Sequence, residues 1–558
     1  MDIIANWLAG LPNMPKEDEF GRPWAMHQRT GMTPAQARFF AEIKRGNQKE
    51  TPASLPAQAS AQDCPAMVYR NGVADDTHLY YMDAGKLARR DLGNVDHVGD
   101  LLQICLETGL EAIWILTETQ LSDRATRAFV EDARTAQVWE ITNAQYTRPE
   151  EQTDGQARAS FLKAYKKKGA RGRRIPGQDQ GRAVYLGFAE HSYSYKFEDI
   201  HNPVVLLAAI SYTEDAIAAP IRFSAQTTGK NLMRSENSSE TRAPWIAPVD
   251  FSPFSTVYVG GRDVPVPCLP ATDLVWMRSL TAQEIEQGYL VTADKNSMYA
   301  GACTSVQLGE GEPVYKAGAE INAGKLEIGI YHIKLTGSSR FDGKQLPHPT
   351  DGQADSWQWV YTVKLCMDLG YQVEIIEGYT WARSHTTLRT WAEKLWKSRV
   401  ALKTDRKRYS NDPARLAACE VVQKVIRGAM GLLAHPPEYP DRPGAYDWYR
   451  PDWNALIVDH ARVKMFYVIR KYADMGYIPF GVLTDCIYFI CATDDHAQAL
   501  PGMFDRAGEL GGYKRKVERP VTSKQIAALQ ARRGNTITEV NLSLLKYDRG
   551  EIELQEIA

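Results

Sequence analysis

Two aspartates stand in apolar surroundings. Asp294 closes the run YLVTAD, and Asp485 interrupts the run VLTDCIYFI. An aspartate at a strand end is ordinarily a turn residue. One set inside a run as apolar as VLTDCIYFI is different, because a buried carboxylate needs a metal, a base or hydrogen-bond donors to offset its desolvation. Two aspartates on neighbouring strands suit Mg²⁺, which takes one or two carboxylates and leaves its other positions to water and substrate phosphates. Two such ions ~3.5–4 Å apart activate an attacking 3′-hydroxyl and steady a pyrophosphate leaving group. Mn²⁺ is the natural substitute, since it favours the same oxygen ligands.

The residues around these aspartates carry a resemblance. The segment Asp294-Lys-Asn-Ser297-Met-Tyr299 resembles motif A of the family B DNA polymerases, D-x-x-S-L-Y-P, and is closest to the protein-primed branch of phages and linear plasmids. GEGEPVYKAG resembles that branch too, and GYQVEIIEGYTWARSHTTLRTWAEKLWKSR resembles the approach to the fingers. QKVIRGAMG resembles motif B, VLTDCIYF resembles motif C (Y-x-D-T-D-S), and LGGYKRKVE stands where a thumb-proximal basic segment is expected. The resemblance covers roughly 287–520, with the motifs in family order. It implies that Asp294 and Asp485 bind both metals, that the Lys295 carbonyl is a backbone ligand, and that Ser297 and Tyr299 belong to the nucleotide site. Ser297 is expected to brace its turn through a side-chain hydrogen bond. Tyr299 matches the steric gate, whose ring lies beneath the sugar and rejects a 2′-hydroxyl. Leu483 replaces the first motif C aspartate. In motif B, Gln423 falls on the usual Lys, Arg427 on the usual Asn and Met430 on the usual Tyr.

Gln423 and Arg427 are four apart and share a helix face, so the positive charge meeting the triphosphate is displaced by one turn. Arginine suits that role because it binds phosphate bidentately. Lys424 is the alternative, and Arg399 with Lys403, also four apart, would complete the clamp from the facing helix. Charged residues on exposed helix faces are ordinary in any soluble protein.

The elements that must position these residues follow from periodicity. HLYYMD, AIWIL and QVWEI read as strands, and VGDLLQICLETG and SDRATRAFVEDARTA as helices, together an α/β unit over 78–142. Downstream, GYLVTAD and EIGIYHIKL read as strands, WQWVYTVKLCMDLG as a helix and YQVEIIEGYTW as a strand pair. TTLRTWAEKLWKSRVALKTD, PARLAACEVVQKVIRGAMGLLA and DHARVKMFYVIRKYADMG read as helices, and IPFGVLTDCIYFICAT as a hairpin. The expected fold class is a multidomain α/β and α+β chain. It is a right-hand polymerase with palm, fingers and thumb, behind an N-terminal ribonuclease-H-like domain of degenerate exonuclease type. The boundaries are a helical segment and linker over 1–64, the exonuclease-like domain over 65–285, palm over 286–386 and 434–500, fingers over 387–433 and thumb over 501–558.

A proofreading site of this family needs D-x-E on its first strand. Here YYMDAGKL offers Asp83 with Gly85 in the Glu position, and Glu118 to Asp123 offers a second motif without its Asn. Asp83 and Asp123 are therefore the remnants of a broken carboxylate set, and no proofreading is expected. An unrelated α/β domain is the alternative.

Length and composition agree with this organisation. The 558 residues correspond to about three to four domains at ~150 residues each, and 44% hydrophobic with 24% charged residues is ordinary for a globular chain. Disorder, collagen and a disulfide-rich module are excluded. The eight cysteines form no CxxC pair, which fits a reducing compartment rather than a zinc ribbon. No apolar run approaches the ~20 residues that span a bilayer, and no signal peptide is read, so the expected location is cytoplasmic without a membrane partner.

The net charge of −2 conceals local asymmetry. Residues 163–174 hold seven bases and no acid, and residues 391–430 hold ten bases against four acids. A basic groove is what a polyanion feels, whatever the average charge. Lys166, Lys167, Lys168 and Arg171, with Lys514 and Lys516 downstream, are the expected DNA contacts; a solvated loop is the bland reading of the first run. The implied partners are primer–template or single-stranded DNA, dNTPs and, in the protein-primed branch, a priming protein. A catalytically weakened polymerase-like protein that holds DNA or a replication partner is the competing function.

Overall fold

The computed structural model describes residues 71–116, 139–147, 158–166, 183–188, 195, 200–236, 255–259, 262–266, 271–403, 412–434 and 449–553, apart from short stretches inside those spans. The expected segment 1–64, the helix near 122–136, Asp123, Lys167, Lys168, Arg171 and the turn at 405–411 lie outside the described residues. The chain divides into two units. One comprises Met1–Leu232 with Lys397–Ala429, the other Met233–Trp396 with Met430–Ala558.

The first unit is built on a seven-stranded sheet. Strands Asn71–Ala74, His78–Asp83 and Lys86–Asp91 form an antiparallel meander. Asn71–Ala74 then pairs in parallel with Ala112–Ile115, which pairs in parallel with Ala183–Phe188. A parallel step needs a crossover, and helix Val98–Glu107 supplies it. Ala112–Ile115 is an unbroken apolar run because all four of its residues are buried, as a central parallel strand requires. Leu79, Leu101, Cys105, Ile113 and Leu186 share the resulting core.

Strands Arg158–Lys166 and Trp139–Thr147 extend the sheet antiparallel beyond Ala183–Phe188. The first residues of the basic run, 163–166, therefore belong to a strand and not to a solvated loop. The stretch RASFLKAYK is paired along both of its edges, so a ladder compensates for its weak hydrophobicity.

Helix Pro203–Ile217 starts at Asn202, whose side chain accepts from the backbone N–H of Val204 and Val205. The expected fingers residues 397–429 group with this unit rather than standing apart. Glycines permit that closeness. A Cβ on Gly229 would lie 2.6 Å from the Ala429 Cβ, and one on Gly428 would lie 2.9 Å from the Gln226 nitrogen.

The second unit is centred on a five-stranded antiparallel sheet, in the order Val275–Met277, Gly481–Leu483, Cys486–Cys491, Tyr289–Lys295, Tyr513–Lys514. Residues 275–277, assigned to the N-terminal domain, are the edge strand of this sheet. Residues 513–548, assigned to a separate thumb, share its core: Val517, Val521, Ile526, Leu529, Val540 and Leu544 pack with Leu290, Phe480 and Tyr488. The apolar faces of helices Ser523–Arg532 and Ile537–Asp548 have to be covered, and this sheet covers them.

A four-stranded antiparallel sheet orders Val314–Ala317, Gln372–Trp381, Ile328–Thr336 and Asp355–Trp359. Gln372–Trp381, expected as a strand pair, is one strand whose register shifts against His332/Ile333. Helix Val360–Asp368 has no side-chain cap of its own. Asp459, from helix Pro451–Asp474, accepts from the Tyr361 and Thr362 N–H groups at 3.0 and 3.3 Å and from the Thr362 hydroxyl. The long helix thereby caps the short one.

Candidate active site

Asp294 is the penultimate residue of Tyr289–Lys295, paired with Cys486 on one side and Lys514 on the other. Asp485 directly precedes Cys486, and its carbonyl accepts from the Lys295 N–H at 2.7 Å. The ladder therefore brings the two aspartates, far apart in sequence, to one end of two adjacent strands. Each is held by a residue in left-handed backbone conformation. Thr484 (φ 53°) forms, with Asp485, the two-residue turn joining Gly481–Leu483 to Cys486–Cys491. Ser297 (φ 47°) turns the end of the Asp294 strand into helix Met298–Cys303. A β-branched threonine with positive φ is sterically costly, and such strain persists only where the surroundings impose it. Ser297 makes no side-chain cap hydrogen bond to helix Met298–Cys303.

Lysines neutralise the carboxylates. Lys514 Nζ lies 3.3 Å from Asp294 Oδ2 and Lys516 Nζ 3.1 Å from Asp294 Oδ1, and Lys516 also lies 3.9 Å from Asp485 Oδ1. Lys514 ends the edge strand Tyr513–Lys514 and Lys516 follows in a bend, and both ammonium groups reach Asp294. Burial, followed by the nearby Asp294, pushes the Asp485 carboxyl above its ordinary pKa, while Lys516 and Lys514 pull it back. Burial works against the Lys516 ammonium, yet Cys486, Asp294 and Asp485 together hold its pKa above the usual lysine value. The space between the aspartates is thus a place where the fold favours positive charge.

Lys295 points to the opposite face. Its side chain is buried, and burial followed by Lys464 lowers its pKa to about 8. Lys464 itself donates to Ser305 Oγ at 2.7 Å. Leu483, at the position of the missing motif C aspartate, packs against the sheet core.

Tyr299 sits in the first turn of Met298–Cys303, half-buried, and its hydroxyl donates to Asp273. Burial, then Asp273, then Asp485 raise the phenol pKa. The sequence reading passed over Asp273, although the segment TDLVW carries the same signal as YLVTAD, an acid bordering an apolar run.

The donor set fits Mg²⁺ or Mn²⁺ as a pair of carboxylates. Among the described residues no group of three His, Cys, Asp or Glu side chains could hold a metal. Two carboxylates that already gather ammonium groups, with backbone carbonyls beside them, are what Mg²⁺ uses when substrate phosphates complete its shell.

The remaining expected residues are distributed differently. Arg399 is buried and its Nη2 donates to Gln423 Oε1 at 3.0 Å, so these two join helices Arg389–Lys403 and Pro413–Ala434. Arg427 and Lys403 are exposed and Lys424 half-buried. All five belong to the first unit, and the aspartates to the second. Asp83 lies at the exposed end of His78–Asp83, where the hairpin turns, and that strand is the second of the meander. The first strand, Asn71–Ala74, carries no carboxylate. Lys166 ends strand Arg158–Lys166. The six described cysteines, at 105, 303, 366, 419, 486 and 491, are buried and form no disulfide, and no described helix is long and apolar enough to cross a membrane.

No family model matches the chain, and no curated protein does. Solved structures do match. DNA polymerases are among them. A Phi29 DNA polymerase complexed with primer-template DNA and incoming nucleotide substrates is similar at 13% identity and a TM-score of 0.43, over 80% of this chain and 85% of that one. Phi29 DNA polymerase in an orthorhombic crystal form is similar at 13% identity and a TM-score of 0.41, over 80% and 84%. The family B DNA polymerase from the hyperthermophilic archaeon Pyrobaculum calidifontis is similar at 10% identity and a TM-score of 0.31, over 87% and 65%. Similarity of this degree carries no functional conclusion, and the site geometry has to carry it.

Proposed function

We propose that this chain is a DNA polymerase-like nucleotidyltransferase that adds dNTPs to a 3′ end. The observation that carries the reading is the meeting of Asp294 and Asp485 at one end of the central sheet, bridged by the Lys516 ammonium. The order of the surrounding motifs supports it. Asp294, Asp485 and the Lys295 carbonyl would hold two Mg²⁺ or Mn²⁺ ions. When bound, the metals supply Lewis-acid activation of the 3′-hydroxyl and charge stabilisation on the leaving pyrophosphate. The protein's part is to balance the two carboxylates with the Lys514 and Lys516 ammonium groups and to aim them through the turns at Ser297 and Thr484. Tyr299 lies beneath the incoming sugar and selects against a 2′-hydroxyl. Arg399, Lys403, Gln423, Lys424 and Arg427 are the residues proposed to meet the triphosphate. Lys514 and Lys516, with the basic run that includes Lys166, Lys167, Lys168 and Arg171, are the proposed contacts to primer–template or single-stranded DNA, and a priming protein is the proposed alternative to a nucleic-acid primer.

For the first unit we propose a ribonuclease-H-like domain that does not proofread. The antiparallel meander followed by two parallel steps across a helix supports the fold. The lack of a carboxylate on Asn71–Ala74 supports the loss of proofreading, as does Asp75, which is engaged in its own turn through Thr77 and His78.

One specific observation favours a second reading, a DNA-holding protein with weakened catalysis: Arg399 is tied to Gln423, and Leu483 occupies a carboxylate position. Primer extension on a defined template with Mg²⁺ or Mn²⁺ separates the two. Template-directed extension that disappears in Asp294→Asn supports the enzyme. DNA binding without any extension supports the second reading.

A further inference from the structure

The hydrogen bond from Tyr299 to Asp273 has no counterpart in the motifs that drew attention to the site. Asp273 lies 26 residues before Tyr299 and 212 before Asp485, and only the folded sheet brings the three together. The residues on either side of it are held. The carbonyl of Leu274 accepts from the N–H of Thr484 at 2.9 Å, and Val275 pairs with Leu483. The hydroxyl of Thr272 accepts from Arg462 Nη1 at 3.0 Å. Arg462 is in turn buried on the long helix, with its Nη2 donating to Asp351 at 2.7 Å and to the Pro349 carbonyl at 3.1 Å. The Asp273 carboxylate is therefore presented from a fixed backbone next to the turn that presents Asp485.

We infer that Asp273 is a positioning residue for Tyr299: it anchors the far end of the phenol ring and so sets how strictly the site rejects ribonucleotides. This rests on the nucleotidyltransferase reading above. A tyrosine secured only at Cβ swings about two side-chain torsions, whereas one secured at its hydroxyl as well has to break a charge-assisted hydrogen bond to move aside. A 2′-hydroxyl can be admitted only when the ring moves. The anchoring bond thus adds to the barrier against ribonucleotides and leaves the deoxy sugar, which fits beneath the undisplaced ring, little affected. The hydroxyl is also committed as a donor to Asp273, so the ring acts by its position and not by bonding to the substrate.

The test is single-turnover kcat/KM for a matched dNTP and rNTP on one primer–template. It compares the unaltered chain with Asp273→Ala, Asp273→Asn, Tyr299→Phe and the double variant Asp273→Ala/Tyr299→Phe. Asp273→Ala and Tyr299→Phe should each lower the dNTP/rNTP ratio about tenfold, through better use of the rNTP, the size expected from losing one such bond. Asp273→Asn keeps an acceptor oxygen and should retain the ratio. The double variant should match either single one, because both remove the same bond. A merely structural role for Asp273 would lower the use of both sugars together and add to Tyr299→Phe. An unchanged ratio in both single variants, with incorporation intact, would overturn the inference alone. No incorporation of either sugar by the unaltered chain would overturn the nucleotidyltransferase reading and this inference with it.

Discussion

Both units bury a carboxylate in or beside their main sheet, and they treat it in opposite ways. In the first unit Glu214 is 3% exposed and fully surrounded. The Asn71 amide donates to its Oε1, the Ile221 N–H donates to the same oxygen at 3.0 Å, and the Trp114 indole donates to Asn71 Oδ1 at 3.1 Å. Burial outweighs these donors and raises the Glu214 pKa to about 8, so it is held as a neutral acid. In the second unit, Asp294 is buried and Asp485 half-buried, and the pair shares the Lys516 ammonium and is matched by ammonium groups rather than by amides. A carboxylate meant to hold a fold together is closed off and keeps its proton. A pair balanced by ammonium groups can exchange those cations for others. The comparison separates structure from chemistry without reference to any motif.

The sharpest way to break this contrast is to remove one charge from each site. Asp294→Asn should reduce primer extension by roughly a thousandfold or more, because a lost metal ligand forfeits several kcal/mol of charge stabilisation. Glu214→Gln should leave extension within about twofold. Steady-state extension assays on folded protein decide this, and equal losses from both variants would erase the distinction.

Lysine removal probes the paired aspartates directly. Lys516→Met leaves Asp294 and Asp485 without their shared ammonium. In EDTA the variant should be destabilised by about 1–3 kcal/mol, the cost of an uncompensated charged partner. Mg²⁺ should restore most of the loss, since a cation then takes the place of the ammonium. Thermal melts of the variant with EDTA and with Mg²⁺ measure it, and a melting temperature insensitive to Mg²⁺ would argue against a cation site.

The closed carboxylate gives a smaller, pH-dependent effect. Its pKa is raised from 4.5 to about 8, so between those values the folded chain binds a proton that the unfolded chain has released. Stability contributed by this group is therefore present in full below pH 4.5 and is lost as pH rises toward 8. The limiting slope is about 1.4 kcal/mol per pH unit. Chemical-denaturant melts from pH 5 to 8 should show this decline in the unaltered chain and a flatter profile in Glu214→Gln, whose amide cannot ionise.

The smallest expected effect belongs to the turn that aims Asp485. Thr484→Gly relieves a left-handed threonine, and stability should rise by up to about 1 kcal/mol. Extension should slow only severalfold, as a looser turn holds the carboxylate less firmly. Paired melting and extension measurements check it, and a faster enzyme would mean that the strain serves no positioning purpose.

Sequence by itself determined the local content of this protein. Apolar periodicity marked strands such as Tyr289–Lys295 and Cys486–Cys491 and helices such as Pro413–Ala434 and Pro451–Asp474, because burial of one face leaves its period in the residues that form it. The apolar flanks of Asp294 and Asp485 singled them out for the same reason. Arg158–Lys166 escaped, since its pairing partners rather than its own hydrophobicity make it a strand. Tertiary structure alone decided which charges meet. Lys514 and Lys516, read from sequence as contacts to DNA, lie on Asp294 because an edge strand some two hundred residues downstream pairs with it. Arg399 is engaged with Gln423 across two helices, and Asp273 reaches Tyr299 only once Val275–Met277 joins the sheet. Periodicity is a property of neighbours along the chain, whereas ion pairs and hydrogen bonds between distant residues depend on strand register, which the order of residues does not display.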